Sequence, residues 1–167
     1  MHLVLSLPIL WHIHRLNMND IYYMQQAIQL AKLCFETDEV PIGCVIVHKN
    51  NIIATGKNER NTQKNVLAHA EIIAINKACE YIGDWRLENC QLYVTLEPCP
   101  MCAGAIIQAR IPVVIYGAKS PKAGCGGSII NILDEPKFNH QAAITSGVLE
   151  YECTELLNKF FSRFRRV

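Results

Sequence analysis

His69-Ala70-Glu71 and Pro98-Cys99-Pro100-Met101-Cys102 decide how this chain is read. The first stretch offers an imidazole and, two residues on, a carboxylate; the second offers two thiols at Cys-x-x-Cys spacing. His69, Cys99 and Cys102 can give a tetrahedral zinc three protein ligands and leave the fourth position to water, as in a catalytic rather than a structural site. Glu71 is the natural base for that water. A lone Cys-x-x-Cys also suits a redox pair or half of a structural zinc ribbon. A closed structural site needs a fourth Cys or His at regular spacing, and none stands out. The upstream His-x-Glu and the proline directly before Cys99 favour the catalytic reading.

Working outward, both stretches open predicted helices. Ala68 to Tyr81 carries Ile72, Ile73, Ala74 and Ala78 at helical spacing and is broken by Gly83-Asp84. Pro98 to Arg110 is a second helix, stopped by Pro112, with both thiols in its first turn. Unpaired N–H groups at a helix start carry partial positive charge and favour thiolate over thiol. Leu92 to Leu96 and Val113 to Tyr116 read as strands on either side of that helix. Upstream, the β-branched run Ile42 to His48 reads as a buried strand that forms a hairpin with Ile52 to Gly56. Before it, Asp20 to Phe35 reads as a helix with Ile21, Met24, Ala27, Ile28, Ala31 and Phe35 on one face, followed by a charged turn at Glu36 to Glu39. Downstream come a Gly- and Lys-bearing loop from Lys119 to Ser128, a short edge strand at Gly147 to Tyr151 and a final helix from Cys153 to Phe164.

Alternating strands and helices in the second half predict parallel pairing there, while the hairpin is antiparallel. The expected fold is α/β: three layers, α-β-α, with a mixed five-stranded sheet flanked by helices. Strand-to-helix junctions then place the site at the carboxyl edge of the sheet.

Composition excludes little beyond disorder. The chain has 167 residues, half of them hydrophobic and 19% charged, which fits one globular domain. A net charge of +1 requires any basic surface to be local. Of eight cysteines, six lie outside the Cys-x-x-Cys and lack the spacing of a disulfide framework, so a reducing, cytoplasmic setting is expected. Residues 1–17 contain an apolar run, Leu3 to Leu10, too short to span a membrane and without the basic start of a signal peptide. They read as an extension outside the core, with residues 18–167 as the catalytic domain.

Other stretches join the two opening ones: Val40-Pro41-Ile42-Gly43, Asn58, Asp84-Trp85-Arg86-Leu87, Leu92-Tyr93-Val94-Thr95-Leu96-Glu97 and Met101-Cys102-Ala103-Gly104-Ala105. With the His-x-Glu…Pro-Cys-x-x-Cys signature of zinc nucleobase deaminases, they make the chain from about Asn19 to Arg166 resemble the bacterial tRNA-specific adenosine deaminases of the cytidine deaminase superfamily. The resemblance implies a cytidine deaminase-like fold and conversion of adenosine to inosine at the wobble position of a tRNA anticodon, chiefly that of an arginine tRNA. It implies a homodimer with the anticodon stem-loop lying across both subunits and no membrane partner. It carries one zinc per subunit onto His69, Cys99 and Cys102, proton shuttling onto Glu71, and substrate binding onto Asn58 and Ala70. By spacing alone, Asn58 follows a strand end with a donor and an acceptor that suit a base edge, and it equally suits an ordinary turn.

For RNA contact the sequence offers Lys122 in the loop and Arg163, Arg165 and Arg166 at the C-terminus, interleaved with Phe160, Phe161 and Phe164. Basic side chains neutralise phosphates, and an unpaired loop presents a base that can be flipped into a pocket. Two other functions share the metal residues. A deaminase of a free base or nucleotide, of guanine or cytosine type, needs no basic C-terminal helix. A non-catalytic zinc-stapled RNA binder has no need of Glu71.

Overall fold

The computed structural model describes residues 18–164; the 1–17 extension, Arg165 and Arg166 lie outside them. The chain runs α1 (Met18–Leu33), a 3₁₀ turn (Cys34–Thr37), β1 (Gly43–His48), β2 (Asn51–Lys57), α2 (Ala70–Ile82), β3 (Cys90–Leu96), α3 (Pro100–Gln108), β4 (Val113–Ala118), β5 (Ala143–Ser146) and α4 (Glu150–Ser162). The strands form one sheet in the order β2-β1-β3-β4-β5. β1 pairs antiparallel with both β2 and β3, while β3, β4 and β5 are parallel. The three-layer α/β architecture with a mixed five-stranded sheet is therefore the one expected.

Strand alternation splits the core into two layers. Cys44, Ile46, Leu92, Val94 and Val114 face α2 and α3, joining Ala70, Ala74, Ala103 and Ile106. Val45, Val47, Tyr93 and Ile115 face the other way, joining Met24, Ala27 and Ile28 of α1 and Cys153 of α4. Buried positions on α1 are Tyr23, Met24, Ala27, Ile28 and Ala31, so Tyr23 joins the expected face and Ile21 does not. α1 lies so close to β1 that a Cβ at Gly43 would fall on the carbonyl oxygen of Ala27.

The hairpin turns on Lys49 and Asn50, both left-handed at φ 48° and 61°. Two left-handed residues in a two-residue loop match the twist of the flanking strands. Because β1 is antiparallel to both neighbours, β2, β3, β4 and β5 all run the same way. Asn58 after β2, Glu97 to Cys99 after β3 and Lys119 after β4 therefore emerge at one edge of the sheet. Glu39, just before β1, meets them there.

One strand needs correction. The last strand is Ala143–Ser146, not Gly147 to Tyr151. Gly147 and Leu149 adopt left-handed φ of 82° and 53°, which ends the strand and turns the chain into α4. The crossover from β4 to β5 is an irregular stretch over residues 119–142, which includes the loop read from Lys119 to Ser128. Among the described residues, no helix is long and apolar enough to cross a membrane.

Candidate active site

Helices α2 and α3 begin two residues later than the spacing predicts, and this sets the site. His69 and Cys99 are the residues just before the helices, both with extended backbone, at φ −80°, ψ 151° and φ −75°, ψ 173°. Cys102 lies in the first turn of α3. The Nδ1 of His69 is 3.5 Å from Cys102 Sγ and 3.7 Å from Cys99 Sγ. All three donor atoms fall within 4.8 Å of one another. A tetrahedral zinc with bonds of about 2.3 Å to sulfur and about 2.0–2.1 Å to nitrogen needs an S···N edge of about 3.6 Å. The donor set fits a metal in both chemistry and spacing.

Electrostatics around the cluster are strained towards proton exchange. Burial pushes the Glu71 carboxyl, only 4% exposed, up to about 7, and the neighbouring Cys99 charge adds to the push. The adjacent Cys102 thiol pulls Cys99 down to about 4 against the effect of burial, and His69 pulls the same way. Cys102 moves far up for the complementary reason, with burial and Glu71 adding to it. His69 is raised chiefly by its contact with Cys99.

Two walls flank the cluster, and each is built on a buried carboxylate to which the sequence reading gave no role. On the hairpin side, Glu39 is fully buried. Its Oε1 accepts from the backbone N–H and the hydroxyl of Thr62 at 2.6 and 3.0 Å, and its Oε2 from Asn58 Nδ2 at 3.3 Å. Asn58 Nδ2 also donates to Val40 O at 3.3 Å. A carboxylate and a carbonyl only accept, so the amide group of Asn58 is oriented and Oδ1 is its remaining acceptor. The backbone N–H of Glu59 donates to Ala68 O at 3.0 Å, closing the loop that brings Asn58 beside His69.

On the other side, Glu97 is 2% exposed and two residues from Cys99. Its Oε2 accepts from Ser120 N at 2.9 Å and from the Ser128 hydroxyl; its Oε1 accepts from Gly126 N at 2.9 Å and Ser128 N at 3.0 Å. Burial alone would raise this carboxyl, but the ring of donors outweighs it and holds Glu97 below the ordinary carboxylate range. A run of charges before Val40-Pro41 was the only sequence signal for Glu39. For Glu97, the signal was a carboxylate in an apolar strand end together with distant Gly124 and Gly126.

The other candidates are scattered. Ala70 is wholly buried at the start of α2, its carbonyl against Gly56. Lys122 is exposed in the loop after β4. Arg163 lies 4.9 Å over the ring of Phe35 and 3.6 Å from Asp38 Oδ1, at the far end of α4. Phe160 is buried, packing on Phe35, while Phe161 and Phe164 are exposed. The six other cysteines are free and buried or half-buried, as expected of small hydrophobes.

The MafB19-like deaminase family matches residues 18–165. The chain is 51% identical over 147 residues to a tRNA-specific adenosine deaminase of Bacillus subtilis (strain 168), covering 88% of this chain and 91% of that protein. A solved structure from studies of A-to-I editing by tRNA:A34 deaminases at the wobble position superposes with a TM-score of 0.78 at 43% identity, covering 81% of this chain and 99% of that one. A guanine deaminase from Bacillus subtilis superposes with a TM-score of 0.58 at 34% identity, over 87% and 94% of the two chains.

Proposed function

The chain belongs to the tRNA-specific adenosine deaminases, and on that premise we propose that it converts adenosine to inosine at wobble position 34 of tRNA, chiefly an arginine tRNA. The overall reaction consumes water and releases ammonia. It takes place in the cytoplasm, in a homodimer holding one zinc per subunit. The catalytic domain spans residues 18–167, with residues 1–17 outside it.

The observation that carries this reading is a buried glutamate next to a three-donor cluster of metal-binding spacing. His69, Cys99 and Cys102 would hold the zinc. When bound, the ion supplies hydroxide near neutral pH by lowering the pKa of water from about 15.7 to near 7. Glu71 takes the proton given up by that water and passes it to N1 of the adenine ring. With hydroxide added at C6, the same carboxylate would take the proton of the new C6 hydroxyl and hand it to the amine, so that the C6–N6 bond breaks, ammonia leaves and the C6 carbonyl forms. A carboxyl held near neutrality can both accept and donate at working pH. Asn58 presents Oδ1 to the base edge, its orientation fixed by Glu39 and Val40 O. Ala70 supports the base from the start of α2. Lys122, Arg163, Arg165 and Arg166 contribute phosphate contacts.

The likeness to a guanine deaminase favours a second reading, deamination of a free base. Incubation of the full chain with an anticodon stem-loop, and separately with free adenosine, cytosine and guanine, separates the two. Inosine at position 34 of the stem-loop is the expected product. Ammonia from a free base alone would assign the chain to the second class.

A further inference from the structure

The loop after β4 has no helix or strand to hold it between Lys119 and Ser128, yet its middle is buried. Gly124, Cys125 and Gly126 are inaccessible, while Lys119, Pro121 and Lys122 before them are exposed. What the loop folds around is a side chain from elsewhere. Glu97 receives four donors, three of them backbone N–H groups of residues 120, 126 and 128. A carboxylate has about four acceptor positions, so it is saturated. The approach is so close that a Cβ at Gly124 would fall on the carboxylate carbon and both oxygens of Glu97. The backbone completes the clamp: Glu97 N donates to Ala118 O at 2.9 Å, and Cys125 N donates to Pro98 O at 2.9 Å. Glu97 and Pro98 thus grip both ends of the loop immediately before Cys99.

We propose that Glu97 is a positioning residue for the reaction: its carboxylate fixes the path of the 119–128 loop against the turn that carries Cys99, and so presets one wall of the substrate site. This rests on the deaminase reading above. Three of the four donors are backbone groups and Ser120 contributes only its N–H, so the wall keeps its path whatever side chain stands at position 120. A glutamine in place of Glu97 offers acceptors on one side only, and its amide group faces donors on the other. With the amide on the Oε2 side the Ser128 hydroxyl can turn and accept, but the Ser120 N–H faces a donor, so the bond that holds the start of the loop is lost.

The test uses the full chain and the variants Glu97→Gln, Glu97→Asp and Gly124→Ala, the last forcing the loop and the carboxylate apart while Glu97 itself is retained. Three measurements are made: amide hydrogen exchange, the thiolate charge-transfer band after cobalt substitution, and kcat and KM on an anticodon stem-loop. Glu97→Gln is expected to speed exchange across residues 119–128 and to raise KM about tenfold or more, as misplacing a positioning element does. The cobalt band and kcat should change far less. Glu97→Asp should restore part of KM, and Gly124→Ala should reproduce the Gln phenotype. Unchanged exchange and KM in Glu97→Gln overturn the proposal, as does loss of the cobalt band with the loop still protected. Should Glu97→Gln not fold, wild-type exchange and KM in Gly124→Ala overturn it equally. A wild-type chain inactive on RNA defeats the deaminase reading, while the exchange measurement still decides the role of Glu97.

Discussion

The two walls of the site use the same device for different ends. Glu39 and Glu97 are both buried carboxylates at the same edge of the sheet, and each gathers donors from irregular chain. Glu39 binds two side chains, Asn58 and Thr62, together with one backbone N–H. Glu97 binds three backbone N–H groups and one hydroxyl. The first therefore sets the orientation of a functional group, and the second sets the path of a main chain. A wall of the first kind is sensitive to which side chains supply the donors; a wall of the second kind tolerates their replacement.

The largest effect belongs to the centre between the walls, and it tests whether centre and walls are separable. Glu71→Gln should lower kcat about 100- to 10,000-fold, the usual contribution of a positioned acid–base group. Metal content by elemental analysis and unfolding in urea should stay close to wild type, because neither wall bonds to Glu71. Turnover surviving in this variant would remove Glu71 from the proton path.

Next in size is the hairpin wall. Glu39→Ala leaves one N–H of the buried Asn58 amide without its acceptor, at a cost of about 1–3 kcal/mol, while the N–H of exposed Thr62 can turn to water instead. A destabilisation of about 2 kcal/mol is expected from the shift of the urea midpoint, with a higher KM because the Asn58 amide loses one of its two tethers. A shift under about 1 kcal/mol would mean that the carboxylate is not what holds this wall.

What could be read from the sequence follows the same division. The hairpin, the helices and the metal-binding cluster depend on residues close in sequence, and alternation, helical spacing and the Cys-x-x-Cys state them openly. The exact helix starts were missed by two residues because His69 and Cys99 take the extended backbone of a cap, which no propensity announces. β5 was misplaced because Ala143–Ser146 is a strand only through pairing with Val113–Tyr116, thirty residues upstream in register. Glu39 and Glu97 were invisible for a related reason. A carboxylate reads as surface, and the donors that make burial tolerable lie 19 to 31 residues away.

A paired substitution then sharpens the contrast between the walls. Thr62→Val removes a hydroxyl that donates to Glu39 and should cost about 1 kcal/mol. Ser120→Ala touches the other wall at a residue that contributes only its backbone N–H to Glu97, and should stay within about 0.5 kcal/mol of wild type. Equal losses in urea unfolding would erase the distinction between a wall made of side chains and one made of main chain.

The smallest effect concerns how each wall is anchored at a distance. The hairpin behind Asn58 turns through Lys49 and Asn50, both left-handed. Lysine pays a steric penalty in that conformation, whereas asparagine occupies it readily. Lys49 contributes its carbonyl to the turn, accepting from Asn51 Nδ2 at 2.9 Å, and that bond survives any side-chain change. Lys49→Asn should therefore stabilise the chain by about 0.5 kcal/mol through the turn alone. The gain should appear as a higher urea midpoint with an unchanged slope, and with no change in amide exchange across residues 119–128. If exchange in that loop slowed as well, the two walls would be mechanically coupled through the sheet, and the independence drawn from their separate carboxylates would be wrong.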